Sequence, residues 1–203
     1  MEGTHQSIID KVTTWVANGL GLGNTYWIYG LPGIGKTSLA HSICKTLDER
    51  NQLIGAFFCK KDDANLNKPR NILPTLICKL AENPLAFRKI VADHLCSKPN
   101  ITTELIKDKQ FLDFILSMPG HANEHSLAFV IDALDECSNC KTREDVLKAL
   151  TNVAAQAPWL KIVITSRPEA DIDCFFSGLT SLLYSSYDLA TNHKATDDLQ
   201  TFA

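Results

Sequence analysis

Four residues separate Gly30 from Gly35-Lys36-Thr37, and that spacing constrains this chain more than any other feature. The pattern G-x-x-x-x-G-K-[ST] belongs to a loop that wraps a polyphosphate, and it means little unless its flanks agree. Here they do. Trp27, Ile28 and Tyr29 form an uncharged, β-forming run, as a strand buried in a parallel sheet requires. Behind the loop, Leu39, Ala40, Ile43 and Leu47 recur at helical spacing.

Each residue type has a physical reason. Gly33 and Gly35 open backbone conformations closed to other residues, and their N–H groups can approach an anion that also faces the positive end of the following helix. Lys36 is placed to reach the β- and γ-phosphates, and the Thr37 hydroxyl to ligate Mg²⁺. The candidate nucleotide-binding set is Gly30, Leu31, Pro32, Gly33, Ile34, Gly35, Lys36, Thr37 and Ser38. The bland alternative is an ordinary turn with a solvated lysine. It is disfavoured because a lysine at a helix N-terminus opposes the dipole unless an anion sits there.

Two further strand ends carry candidate chemistry. Leu127 to Asp132 is an apolar run ending in an acid, which makes Asp132 the candidate Mg²⁺ carboxylate. Glu136 is the first candidate to orient or deprotonate the attacking water, with Asp135 close behind. Leu160 to Thr165 is a second buried run, followed by Ser166-Arg167-Pro168. A guanidinium there would point at the γ-phosphate and stabilise or report its charge. Lys36, Asp135, Glu136 and Arg167 are thus the candidate catalytic residues, and Thr37 and Asp132 the candidate metal residues.

Elsewhere the pattern predicts a helix from His5 to Val16 and a glycine joint at Gly19, Gly21 and Gly23. Further predictions are a strand over Gln52 to Cys59, a polar loop over 60–69, helices over 72–81, 85–96, 104–116 and 142–155, and a last strand over 181–189. Strands alternating with helices imply an α/β parallel sheet covered on both faces, with its ligand outside the carboxyl ends of the strands.

Composition narrows the partners. Twenty basic against 23 acidic residues give a net charge of −3, with no basic block to suggest nucleic acid or an anionic membrane. The seven cysteines are scattered and odd in number, the usage of a reducing compartment. No leader or 18-residue apolar run is visible, so the expected setting is cytoplasmic, with no membrane span.

G-L-P-G-I-G-K-T, F-V-I-D-A-L-D-E-C and I-V-I-T-S-R-P-E, in this order, resemble the NACHT domain of the STAND P-loop NTPases, especially those of fungal NLR-like proteins. The resemblance runs from about Trp27 to Leu189. It implies a three-layer, ASCE-type, five-stranded and mainly parallel sheet, in which the strand carrying Thr165 lies between the P-loop strand and the strand carrying Asp132. It also implies binding of ATP or GTP with Mg²⁺, slow hydrolysis, and self-association in the triphosphate state within a longer NLR-like protein. On this basis residues 1–24 are a helix and joint, 25–190 the NTPase domain, and 191–203 the truncated start of a helical lid. The competing readings are a non-hydrolysing nucleotide-binding interaction module and a small-molecule kinase. The kinase is weakened by the absence of arginine from Pro168 to Ala203.

Weaker signals read as structural. Cys137 and Cys140 have the spacing of half a zinc site, Arg70 reads as a solvated helix-start residue, and Trp15 belongs to the stripe that docks the first helix. Tyr26 lies near enough to the joint to touch a base.

Overall fold

The computed structural model describes residues 6–18, 23–82, 115 and 126–191. The helices predicted over 85–96 and 104–116 lie outside these residues except for Ile115, as do Gly19, Gly21 and the tail from 192.

Among the described residues the chain runs α1 (Gln6–Ala17), β1 (Thr25–Tyr29), α2 (Lys36–Glu49), β2 (Leu53–Phe58), a 3-10 turn (Pro69–Asn71) and α3 (Ile72–Glu82). It continues with β3 (Leu127–Asp132), a second 3-10 turn (Leu134–Glu136), α4 (Cys140–Gln156), β4 (Leu160–Ser166), α5 (Ala170–Ser177) and β5 (Tyr184–Asp188). All five strands are parallel, in the order β2-β3-β4-β1-β5. The strand carrying Thr165 therefore does lie between those carrying the P-loop and Asp132.

Continuous apolar runs become two-faced once they are strands, because successive side chains point to opposite sides. In β3, Leu127, Phe129 and Ile131 enter one core, and Ala128 and Val130 the other. The first core is closed by α3, α4 and α5 through Leu76, Leu150 and Phe176, and the second by α1 and α2 through Val12 and Ile43. Each fully buried Leu, Ile or Phe stabilises the fold by roughly 1.5–3 kcal/mol relative to exposure. This three-layer arrangement is the architecture that the motifs imply.

Register delivers the functional loops to one edge. Tyr29 pairs with Ser166, Ile131 with Ile164, and Phe58 with Asp132, so the carboxyl ends of β2, β3, β4 and β1 finish level. Beneath them, the Trp27 indole donates to the Ser166 hydroxyl at 2.9 Å.

Two features differ from the sequence reading. The last strand starts at Tyr184 rather than 181, because the Leu183 N–H bonds back to the Thr180 carbonyl at 2.9 Å and makes a turn that leaves Leu182 and Leu183 exposed. Gly23 abuts that turn with φ +64°, and a Cβ there would sit 2.3 Å from the Leu183 carbonyl carbon, so only glycine fits. Helix α5 was not foreseen. Lys161, within the run read as a buried strand, is fully buried in β4, where its ammonium reaches the Asn24 side-chain oxygen and lies 5.0 Å from the Trp15 ring.

Candidate nucleotide site

The loop between β1 and α2 takes the shape its glycines permit. Gly33 and Gly35 have φ of 78° and 96°, in the left-handed region. A Cβ on Gly33 would meet nothing within 4 Å, so backbone conformation rather than crowding favours glycine there. Gly35 caps α2 without a side-chain acceptor, and the first turn of the helix has no acidic residue. The amides and the positive end of the dipole thus face the cleft.

Lys36 folds back over its own loop, with Nζ donating to the carbonyls of Gly30 at 2.7 Å and Leu31 at 2.8 Å. Burial pushes its ammonium below the ordinary lysine value; Arg167 adds to that effect, and Asp135 and Asp132 oppose it.

Across the cleft, Asp132 is 2% exposed at the tip of β3, and its Oδ1 accepts a hydrogen bond from the Thr165 hydroxyl. The same hydroxyl oxygen accepts the Ala133 N–H at 3.1 Å, which ties β3 to β4 at the acid. Ala133 then adopts φ 53° and ψ 46°, a left-handed conformation unusual for alanine, and turns the chain into the 3-10 turn that carries both further acids. Asp135 Oδ1 accepts the Arg167 backbone N–H at 2.9 Å while Oδ2 lies 3.2 Å from Arg167 Nε. Glu136 Oε2 accepts the Lys61 backbone N–H at 3.0 Å.

These elements enclose an open cleft of about 250 Å³, lined by Pro32, Gly33, Gly35, Lys36, Thr37, Ser38, Ala133, Asp135, Glu136 and Arg167. All four candidate catalytic residues therefore line one cavity. Gly30, Leu31, Ile34 and Asp132 are not among its lining residues, Asp132 being buried at the strand tip. Thr37 and Asp132 supply the hard oxygen donors that suit Mg²⁺, which in such sites takes its other ligands from phosphate and water. Among the described residues no cluster of three His, Cys, Asp or Glu side chains could hold a metal ion unaided.

Sequence reasoning passed over three contributors: the Thr165 hydroxyl as the partner of Asp132, the Lys61 amide, and Arg143. Arg143, which no motif singles out, is 4% exposed and bonds the Asp135 and Cys137 carbonyls at 3.1 Å each. The minor candidates lie apart from the cleft. Cys137 is buried with its Sγ 3.4 Å from that of Cys59, whereas Cys140 is exposed and opens α4. Arg70 is exposed, and Tyr26, offered as a base contact, is instead buried edge-on against Trp15 at 5.3 Å.

The family profile described as Nephrocystin 3, N-terminal, matches residues 3–167, from α1 to the arginine of the cleft. The chain belongs to the nephrocystin 3 N-terminal family. The resemblance to NACHT-type P-loop NTPases stands with that assignment, and the family and the loop together mark a nucleotide-binding P-loop domain. No curated protein matches the chain.

Among solved structures the domain resembles the Aeropyrum pernix ORC1 protein in complex with DNA, at 13% identity and TM-score 0.53, over 91% of this chain and 44% of that one. It also resembles Drosophila ORC bound to AT-rich DNA and Cdc6, at 14% identity and TM-score 0.51, over 91% of this chain and 53% of that one. At such identities the likeness is one of fold. The domain spans about half the length of these chains.

Proposed function

We propose that this nephrocystin 3 N-terminal-family domain binds a nucleoside triphosphate with Mg²⁺, hydrolyses it slowly, and uses the triphosphate state as a signal for self-association within a longer NLR-like protein. The observation that carries the reading is the convergence of Lys36, Asp135, Glu136 and Arg167 on one cleft at the amide end of α2.

The chemistry follows from the contacts. An incoming polyphosphate offers Lys36 charged oxygens in place of the neutral Gly30 and Leu31 carbonyls, and charge-assisted bonds are the stronger. The Arg167 side chain is 46% exposed, and Asp135 aims it while leaving it free to meet a γ-phosphate. Both Asp135 oxygens are occupied by Arg167, whereas among the described residues Glu136 has only its Oε2 on an amide. That leaves Glu136 the better placed to orient an attacking water. Mg²⁺, held by Thr37 and Asp132, would neutralise charge on the β- and γ-phosphates.

The second reading, a module that holds nucleotide without turning it over, is favoured by one observation: the Glu136 carboxylate is anchored to Lys61 rather than directed at the loop lysine. Nucleic acid has no part in either reading, and a reducing, cytoplasmic setting suits the described cysteines, which are free.

Phosphate release from ATP and from GTP, followed together with light-scattering mass in triphosphate analogue and in diphosphate, separates the readings. Slow release with larger particles only in the analogue supports the switch. Saturable binding with no release moves the assignment to the non-hydrolysing module.

A further inference from the structure

Arg143 stands one turn into α4, where a cation opposes the helix dipole, and it is almost wholly buried. A buried guanidinium is tolerated only when its donors are satisfied, and this one is committed on two sides. Nε and Nη2 form a fork on the two oxygens of Asp171, at 2.7 and 2.6 Å. Nη1 donates to the carbonyls of Asp135 and Cys137, on either side of Glu136, and Nη2 meets Cys140 Sγ at 3.5 Å.

The two sides matter because of what they carry. Asp171 lies in α5, four residues beyond Arg167. The Asp135 carboxylate grips Arg167 from the other direction. The contacts close a ring: Asp135 to Arg167, along the chain to Asp171, across to Arg143, and back to the Asp135 carbonyl.

We infer that Arg143 is a positioning residue, which with Asp171 locks the acid-bearing turn at 133–137 to the segment carrying Arg167, so that both sides of the cleft keep one relative geometry. The consequence for turnover rests on the function proposed above; the clamp itself does not. With the clamp intact, a phosphate that engages Arg167 also meets Glu136 at a set distance. With it broken, nucleotide still binds through the loop and Lys36, but the water-orienting acid and the arginine are no longer held in register. Lysine cannot replace the arginine, because one ammonium cannot fork onto a carboxylate and reach two carbonyls together.

The test uses the purified chain and three variants: Arg143→Lys, Asp171→Asn, and the apolar double change Arg143→Met with Asp171→Leu, which leaves no buried charge unpaired. Hydrogen exchange without nucleotide reads the clamp. We expect faster exchange in both 133–139 and 167–171 in every variant, including the segment that lies on another element from the mutated side chain. Phosphate release and binding of a fluorescent ATP analogue read the consequence. We expect kcat to fall on the order of tenfold or more while Kd changes by less than about threefold, a split that general loosening of the fold would not produce.

Wild-type exchange and wild-type kcat in Arg143→Lys and in the double variant would overturn the inference. If Arg143→Lys fails to unfold cooperatively, the double variant carries the decision. Should wild type and Lys36→Ala bind the analogue equally, the proposed function fails, and the exchange measurement still decides whether the clamp exists.

Discussion

Asp135 holds Arg167 at two points, its Oδ1 taking the backbone N–H at 2.9 Å and its Oδ2 lying 3.2 Å from Nε. The carboxylate is 6% exposed and the guanidinium side chain 46%, so the pair is anchored at one end and open at the other. A half-exposed pair of this kind contributes about 1 kcal/mol or less to stability. Its value lies in aim.

Arg167→Ala should therefore leave the fold nearly unchanged and remove discrimination between triphosphate and diphosphate. A charge-assisted bond to a γ-phosphate is worth about 1.5–3 kcal/mol, so triphosphate affinity should fall roughly tenfold or more while diphosphate affinity stays constant. Competition titrations with ATP and ADP read the ratio directly. Equal losses for both nucleotides would place Arg167 elsewhere in the mechanism.

The Thr165 hydroxyl donates to the Asp132 carboxylate and accepts the Ala133 N–H. Thr165→Val keeps the shape of the side chain but orphans both partners near the strand tip. The expected cost is about 1–3 kcal/mol, read as a lower urea midpoint with unchanged slope. Thr165→Ser, which retains the hydroxyl, should recover most of it, and a serine variant as weak as the valine would assign the loss to packing instead.

Ala133 sits at φ 53°, where a Cβ is disfavoured. Ala133→Gly should stabilise the fold by up to about 1 kcal/mol despite the greater freedom of glycine when unfolded, and Ala133→Val should destabilise it. Urea unfolding of the three proteins ranks them. A glycine variant clearly less stable than wild type would show that the alanine methyl contributes through packing.

Burial raises the Cys44 thiol, helped by Asp132 and Asp48, from 9.0 to about 12. Below pH 9.0 both folded and unfolded chains keep this proton. As pH rises from 9.0 toward about 12, the unfolded chain loses it while the folded chain retains it, so stability falls across that window. Other groups titrate there too, which makes the difference between two proteins the useful quantity. Between about pH 8 and about pH 10, the urea midpoint of wild type should fall further than that of Cys44→Ala. Parallel falls would show that the thiol is not shielded.

Much of the cleft was legible because its strands are buried on both faces. Largely apolar runs such as 127–132 and 160–165 announce themselves, and the residues just beyond each run sit at the carboxyl edge by topology alone. Arg143 was not legible. The two partners that tie it to the cleft, the Asp135 carbonyl and the Asp171 carboxylate, lie 8 and 28 residues away in sequence, separations that no helical or strand period encodes. Helix α5 was missed for a related reason: at eight residues it is too short for periodicity, and Ile172 and Phe176 find their burial only against a core assembled from distant elements. Lys161 interrupts an otherwise apolar stretch, and its burial there depends on Asn24 and Trp15, which come from the other end of the chain.

The central claim is that the cleft between the P-loop and the acids binds a nucleoside triphosphate through Lys36. A titration of the purified chain with a fluorescent ATP analogue and Mg²⁺, competed with ATP, ADP and GTP and repeated on Lys36→Ala, tests it most directly. We expect saturable binding by wild type and affinity at least about tenfold weaker in the variant, a loss of roughly 1.4 kcal/mol or more. Equal binding by the two proteins, or none by wild type, would contradict the claim.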